Sequence, residues 1–476
     1  MPFLHSHKPL CCNSIGCGER VREEMGRETH ILVLPFPLQG HINPMLQFSK
    51  HLASKGLKVS FITTTSVRNT IHLQLPSSVA IQYISDGYDD EKQAESLDDY
   101  LRRFQDVVSK TLADFIVQKQ KADDPPKLLV YDSVMPWALE VAKGLGLGGA
   151  SFFTQSCAVN AIYYHLNRGH FEVPLGGPAM LSLPEMPLLG IDDLPSFICD
   201  DGAYPALLRL VANMFSNFRD ADWLLFNTFD KLEEQQMVKW MMASQWPIKT
   251  IGPSIPSMGY DDQDYGLSLF SPSAEAACIN WLDSKPTASV VYASFGSLAC
   301  LSEAQMEELA WGLHNATAAA HFRFHFLWVV RASEEAKLPA NFVDETSEIG
   351  LIVNWSPQLR VLAHPAVGCF MTHCGWNSTL EALALGVPMV AMPQWSDQAT
   401  NAKYIADVWR VGLRLGADDK GVITRQEIGV RIKEVMEGER GIELRKNAMR
   451  WRELAREAVQ EEGSSDSNIE EFVSGL

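Results

Sequence analysis

At 476 residues the chain is too long for one ordinary core, and 46% hydrophobic with 21% charged residues is the composition of a soluble globular protein of two domains. A formal net charge of −18 argues against nucleic acid or an anionic membrane surface as the main partner. An anionic substrate must therefore be met by a local field of backbone amides.

The N-terminus lacks the continuous apolar core of a signal peptide, and no uncharged apolar run reaches about 18 residues. Nine cysteines are scattered, three of them (Cys11, Cys12, Cys17) near the start, with no zinc-type pairing of spacings. Cys369 and Cys374 read as small buried hydrophobes on a strand and its end. A cytoplasmic monomer without a membrane anchor is the expectation. Met25 opens a second plausible start (MGRETHILVLPFP), so residues 1–24 read as a disordered leader or a gene-model extension.

In chain order, His30 to Leu34 reads as a strand and is followed by a helix from about Asn43, with Pro44 at its first position. Between them, Gln39-Gly40-His41-Ile42-Asn43-Pro44 puts an imidazole at a cleft edge, beside a helix start whose dipole favours the neutral ring. His41 is then either a base or a loop histidine without a role. Strands follow at Leu57–Thr64, Val79–Ile84, Lys127–Tyr131 and Ala150–Phe153, with a helix over Leu97–Lys119. Asp132 closes the Leu-Val-Tyr-Asp strand, where it either caps a helix starting near Pro136 or accepts the Nδ1 proton of His41. Strands at Leu224–Phe226 and Ile248–Ile251 complete residues 25–252. This β–helix–β alternation predicts a parallel sheet covered on both faces.

Residues 253–272, rich in Pro, Ser, Asp and Gly, break both periodicities and read as a linker. The pattern then repeats over residues 273–460, with strands at Val290–Ser294, Phe324–Val330, Leu351–Asn354, Val367–Met371 and Met389–Met392. Helices are expected at Glu303–Leu313, Gln398–Val408, Thr424–Glu437 and Ile442–Val459; a last one, Ser467–Val473, lies in a tail (461–476) suited to packing back on the first domain. The segment His314 to His325 is long for a helix-to-strand connection and reads as an insertion or splicing error. Phe295-Gly296-Ser297 ends the first strand of this half, so Ser297 points into the cleft or merely makes a turn. The fold class is α/β, two doubly wound domains that bind ligands beyond the strand C-termini.

Residues 355–398 (WSPQLRVLAHPAVGCFMTHCGWNSTLEALALGVPMVAMPQWSDQ) carry the densest chemistry. The Thr372-His373-Cys374-Gly375-Trp376-Asn377-Ser378 turn opens a helix, and unpaired N–H groups at a helix start make an anion site. His373, Asn377 and Ser378 can add donors to a diphosphate, although Asn377 or Ser378 can also simply cap the helix. Glu381 either accepts from ribose hydroxyls or lies on the surface. Trp355 either stacks on a base, with Gln358 at the base edge, or is partly buried core. Asp397 and Gln398 supply acceptors and a donor for vicinal sugar hydroxyls.

This stretch, with its Trp, Gln, HCGWNS, Glu and terminal Asp-Gln, resembles the signature box of plant UDP-dependent (family 1) glycosyltransferases, and the chain from Met25 onward resembles the same family. The resemblance implies a GT-B fold, two Rossmann-like domains with an interdomain cleft. It also implies a UDP-sugar donor, inversion at the anomeric carbon and neither metal nor cofactor, UDP-glucose being a co-substrate. On that basis Trp355 stacks on uracil, Gln358 reads the base and Glu381 holds the ribose. His373, Trp376, Asn377 and Ser378 hold the diphosphate, Asp397 and Gln398 the sugar, and Thr154 and Ser297 also contact the donor. His41 is the general base and Asp132 its partner. Gln398 together with Trp376 is similar to glucose-using members. Tyr-Asp-Ser-Val-Met-Pro-Trp (131–137) and Phe-Thr-Gln-Ser-Cys-Ala (153–158) resemble the subgroup with glucose-ester-forming members. Leu38 departs from the small residue usual before Gln-Gly-His and narrows the expected acceptor pocket.

The expected function is inverting transfer of glucose from UDP-glucose to a hydroxyl or carboxyl group of a small, largely hydrophobic acceptor, a plant secondary metabolite or hormone. The alternative is a catalytically inactive GT-B-like protein that binds a small molecule or nucleotide sugar; retention of His41, Asp132, Asp397 and Gln398 counts against it. A nucleotide-dependent oxidoreductase fails for want of a Gly-x-Gly-x-x-Gly turn.

Overall fold

The computed structural model describes residues 29–70, 79–88, 94–173, 175, 180–199, 204–233, 246–256, 272–318 and 324–476. The expected leader, most of the expected linker and the middle of the His314–His325 segment lie outside the described residues.

Seven strands form the first sheet: β1 (His30–Leu34), β2 (Lys58–Thr64), β3 (Val79–Ile84), β4 (Pro126–Asp132), β5 (Gly148–Phe153), β6 (Trp223–Phe226) and β7 (Ile248–Thr250). All pair in parallel, in the order β3-β2-β1-β4-β5-β6-β7. Six form the second: β8 (Val290–Ser294), β9 (His325–Val329), β10 (Gly350–Val353), β11 (Val367–Thr372), β12 (Met389–Ala391) and β13 (Gly412–Arg414). They too are parallel, in the order β10-β9-β8-β11-β12-β13. The continuous apolar runs that marked these strands are buried on both faces, as in β1 and β8, where every residue is inside. The pleat divides them between two cores. Leu32 and Leu34 of β1 enter one hydrophobic cluster and Ile31 and Val33 the other; Val290 and Tyr292 of β8 likewise part from Val291 and Ala293. The fold is therefore α/β with two doubly wound, Rossmann-like domains.

Three features differ from the sequence expectation. Strand β13 was not anticipated, because three residues ending in Arg414 carry no usable periodicity. Beyond the Gln398–Lys403 helix the chain widens into a π-turn over Tyr404–Val408. The first helix spans Gln39–Ser54, so Pro44 lies inside it and His41 within its first turn.

The last helix, Ser464–Ser474, returns to the first domain. Ile469 and Phe472 join its core, with the Phe472 ring 5.9 Å from Phe48 and 5.5 Å from Trp223. Lys55 Nζ reaches Asp466 Oδ1 at 2.7 Å, and Asn468 Nδ2 donates to the Thr250 carbonyl at 2.9 Å. In each sheet the strand order reverses once, between β1 and β4 and between β8 and β11. Such switch points open a crevice at the strand C-termini.

Candidate active site

The first crevice holds His41, just inside the helix that follows β1, and Asp132, the last residue of β4. His41 Nδ1 donates to Asp132 Oδ2 at 2.7 Å, and Thr154 Oγ1 lies 3.2 Å from the same nitrogen. Asp132 is fully buried; its Oδ1 also accepts from the Val134 N–H at 3.2 Å and its Oδ2 from the Phe36 N–H at 3.4 Å. With Nδ1–H committed, Nε2 is the basic nitrogen. The helix dipole does not decide the charge of this ring. Burial pushes the imidazole down, but the Asp132 carboxylate, with a contribution from Asp397 of the second lobe, raises it above the ordinary histidine value. The two carboxylates together outweigh burial in setting the direction. Thr154 thus sits against the imidazole, and any part it has in donor contact is played from there.

Pro44 has a consequence across the cleft. Inside the Gln39–Ser54 helix the N–H of residue 44 would bond the carbonyl of Gly40, and proline has none. That carbonyl accepts instead from Asn377 Nδ2 of the second lobe, at 2.7 Å. The residue next to His41 is thereby bonded to the start of the helix at Trp376–Leu385.

At the second switch point, His373 follows β11 and faces the Gly296 turn that follows β8. A Cβ on Gly296 (φ +71°) would stand 2.6 Å from His373 Nε2, and one on Gly375 would stand 2.5 Å from it. Two glycines therefore cradle one ring edge. Burial pushes this imidazole down to about 4, the Ser294 backbone opposing only in part, so the ring is neutral at pH 7 and offers an N–H without added charge. Cys374 between them takes a left-handed backbone (φ +66°), tied by its own N–H to Thr372 Oγ1 at 3.1 Å. Ser297 is exposed beside this turn; its carbonyl accepts from Arg331 Nη1 at 2.6 Å.

Several side chains assigned to ligand are engaged within the protein. Trp376 is buried, with Nε1 donating to the Asn227 carbonyl of the first lobe at 2.8 Å, so its indole joins the lobes and only its backbone N–H is aimed with the helix start. Gln358 Nε2 donates to Ser378 Oγ at 2.8 Å and Glu381 Oε2 at 2.6 Å, while its Oε1 accepts from Tyr292 OH at 3.2 Å. The Gln358 side-chain amide is therefore engaged within the protein, leaving its backbone N–H at the start of the Gln358–Ala363 helix. Ser378 and the buried Glu381 belong to that network, not to a plain surface or cap. Trp355, by contrast, is half-buried just beyond β10, its indole neither sealed in the core nor fully in solvent.

Asp397 and Gln398 are buried at the next helix start. Gln398 Oε1 accepts from the Gln394 and Trp395 N–H groups at 2.9 and 3.1 Å, which leaves its amide hydrogens for a ligand. Burial raises the Asp397 carboxyl above its ordinary value, the Asn401 side chain opposing. Asp397 Oδ2 accepts from Asn401 Nδ2 at 2.8 Å. Asn401 was missed from sequence, although its place four residues after Asp397 on one helix was a usable signal.

A neutral imidazole in a glycine cradle, a helix start and a carboxylate–amide pair thus face a carboxylate-held histidine. Two protein-family models match the chain in the same order: a glycosyltransferase N-terminal domain over residues 27–81, and the UDP-glucoronosyl and UDP-glucosyl transferases over residues 210–459. The second covers more than half of it. The chain belongs to the UDP-glycosyltransferases. It is 50% identical to mogroside I-E synthase of Siraitia grosvenorii over 456 residues, covering 94% of this chain and 98% of that protein. It is 48% identical to the flavonol 7-O-beta-glucosyltransferase UGT74F1 of Arabidopsis thaliana over 458 residues, with the same coverages of 94% and 98%. The crystal structure of Os79 from O. sativa in complex with UDP superposes with a TM-score of 0.85 at 39% identity, covering 94% of this chain and 99% of that one. This protein is accordingly a UDP-sugar-dependent glycosyltransferase of the GT-B fold, acting on small acceptors. Among the described residues of the transferase, no helix is long and apolar enough to cross a membrane.

The indole at 376 offers a test of how the transferase divides structure from binding. Trp376→Phe keeps the backbone N–H and removes the bond to Asn227. Titration calorimetry should find UDP affinity within about threefold of wild type, while denaturant unfolding finds about 1–2 kcal/mol less stability.

Proposed function

We propose that the enzyme transfers glucose from UDP-glucose, with inversion, to a hydroxyl or carboxyl group of a small, largely hydrophobic acceptor. The observation that carries this reading is the Asn377–Gly40 bond, which sets the phosphate-type helix start beside the His41–Asp132 pair. In the proposed reaction the acceptor O–H gives its proton to His41 Nε2 while its oxygen attacks the anomeric carbon from the face opposite UDP. The bond from that carbon to the β-phosphate oxygen breaks, its electron pair leaving with UDP, and the α-linked donor yields a β-glucoside. Amides at the Trp376–Leu385 helix start, with His373, Asn377 and Ser378, stabilise the leaving charge, so no metal and no cofactor is invoked. Trp355 stacks on uracil, Glu381 holds the ribose, and Asp397 with the Gln398 amide holds the sugar.

Aromatic surroundings support an apolar acceptor. The Phe36 ring lies 5.5 Å from His41 and 5.4 Å from Phe104, and Trp395 of the second lobe lies 5.9 Å from Phe197 and 6.1 Å from Tyr204. Leu38 stands partly exposed at the helix start. The similarity to a flavonol 7-O-beta-glucosyltransferase supports glucose as the sugar. The reduced thiols of Cys157, Cys199, Cys278, Cys300, Cys369 and Cys374 support a reducing compartment, and we propose a cytoplasmic monomer.

The test is incubation with UDP-glucose and a panel of phenols, aliphatic alcohols and carboxylic acids, reading released UDP and product mass. A product with a β-configured anomeric proton is expected, alkali separating ester from ether. UDP release independent of every acceptor would overturn the reading.

A further inference from the structure

We infer that Asn401 is the positioning residue of the donor site, holding the sugar-binding carboxylate, the phosphate turn and the first lobe in one register. The inference rests on the reading above that Asp397 binds the sugar.

Asn401 is 1% exposed and lies in the Gln398–Lys403 helix. Its Nδ2 donates to Asp397 Oδ2 at 2.8 Å and to the Cys374 carbonyl at 3.0 Å, while its Oδ1 accepts from Ser156 Oγ of the first lobe at 3.2 Å. The amide admits one orientation, since a carboxylate oxygen and a carbonyl can only accept. Both of its N–H groups are thereby committed. Each of the three bonds has a separate consequence. Holding Oδ2 fixes the orientation in which the Asp397 carboxylate is presented to a sugar hydroxyl. Holding the Cys374 carbonyl restrains a left-handed residue immediately before Gly375, which caps the Trp376–Leu385 helix. Ser156 caps the Cys157–Asn167 helix through the Val159 N–H, so its donation to Asn401 ties the donor site to the rigid frame of the opposite lobe. Hexose and diphosphate are joined by one glycosidic oxygen. A side chain that locks their two protein contacts together decides which hydroxyl orientation the carboxylate meets.

Calorimetric Kd values for UDP-glucose and its C4 epimer UDP-galactose test this on Asn401→Ala, Asn401→Asp, Asp397→Ala and the Asn401→Ala/Asp397→Ala pair. Asn401→Ala should lower the preference for UDP-glucose by about tenfold or more, and should lower it no further once Asp397 is Ala. Asn401→Asp keeps the shape but makes two buried carboxylates share a site. They cannot both ionise at ordinary cost, so UDP-glucose affinity should fall as pH rises through the shared ionisation. Wild-type preference and pH profile in both Asn401 variants, with preference lost in Asp397→Ala, would overturn the role of Asn401 alone. Preference retained in Asp397→Ala would overturn the sugar-binding reading beneath it.

Discussion

Replacing His41 with Ala is expected to lower kcat/KM toward phenolic and alcoholic acceptors by a factor of about 10²–10⁴, the usual worth of a positioned general base. UDP affinity, measured by calorimetry, should change little, since the residue belongs to the acceptor side of the cleft. Carboxylic acid acceptors behave differently, because a pKa of about 4–5 leaves them ionised at neutral pH with no proton to remove. His41→Ala should therefore spare ester formation relative to ether formation in the same preparation. Unchanged turnover of phenols would dismiss the base role. The pH profile carries a second sign. In the proposed reaction His41 works as the neutral ring, and Asp132 and Asp397 raise its pKa above the ordinary value, so activity toward hydroxyl acceptors should be lost as pH falls through that raised value. Asp132→Asn removes the larger of the two charges and leaves burial, which acts downward. The acid limb should then move to lower pH while the plateau falls, because the amide no longer selects the Nδ1–H form.

Gly375→Ala should be nearly as damaging, for a steric reason. Gly375 has φ −59° and ψ 144°, a conformation open to any residue, so the backbone does not demand glycine. The His373 ring does, since the added Cβ would meet Nε2 at 2.5 Å and Cε1 at 3.2 Å. Gly296 faces the same nitrogen, an added Cβ there standing 2.6 Å from it, so any shift of the ring also alters its contact with that turn. A displacement of about 1 Å at the helix start is expected to cost about a hundredfold in kcat/KM for UDP-glucose. Adding Gly375→Ala to His373→Ala should cost little more than His373→Ala by itself, which distinguishes a ring clash from general distortion. Wild-type affinity for UDP-glucose in Gly375→Ala would mean that the cradle does not lie at the diphosphate.

Much of the architecture was legible in the residues. The Val-, Ile- and Leu-rich runs are strands because both faces of a parallel sheet are covered, and the helix over Leu97–Lys119 begins and ends where its pattern does, capped by Ser96. What failed were features without a local signature: the three-residue β13, and the true start of the Gln39–Ser54 helix. Proline at position 44 reads as a helix start because its missing N–H is harmless there. In the fold it falls deeper, and the carbonyl left unpaired is satisfied by Asn377, 337 residues away.

The same division runs through the site. Chain order alone put His41, Asp132, His373 and Asp397 at the C-terminal ends of parallel strands, because strand–turn–helix periodicity fixes where a residue falls along an element. It could not tell which polar groups are still available to a ligand. Gln358 and Trp376 have the right chemistry for a nucleotide, yet their side chains are satisfied by Glu381, Ser378 and Asn227, whereas unheralded Asn401 holds three elements together. A buried donor must find an acceptor wherever folding brings one. Hydrogen-bond partnership and the balance of burial against charge are set by approach in space, and only the assembled lobes settle them.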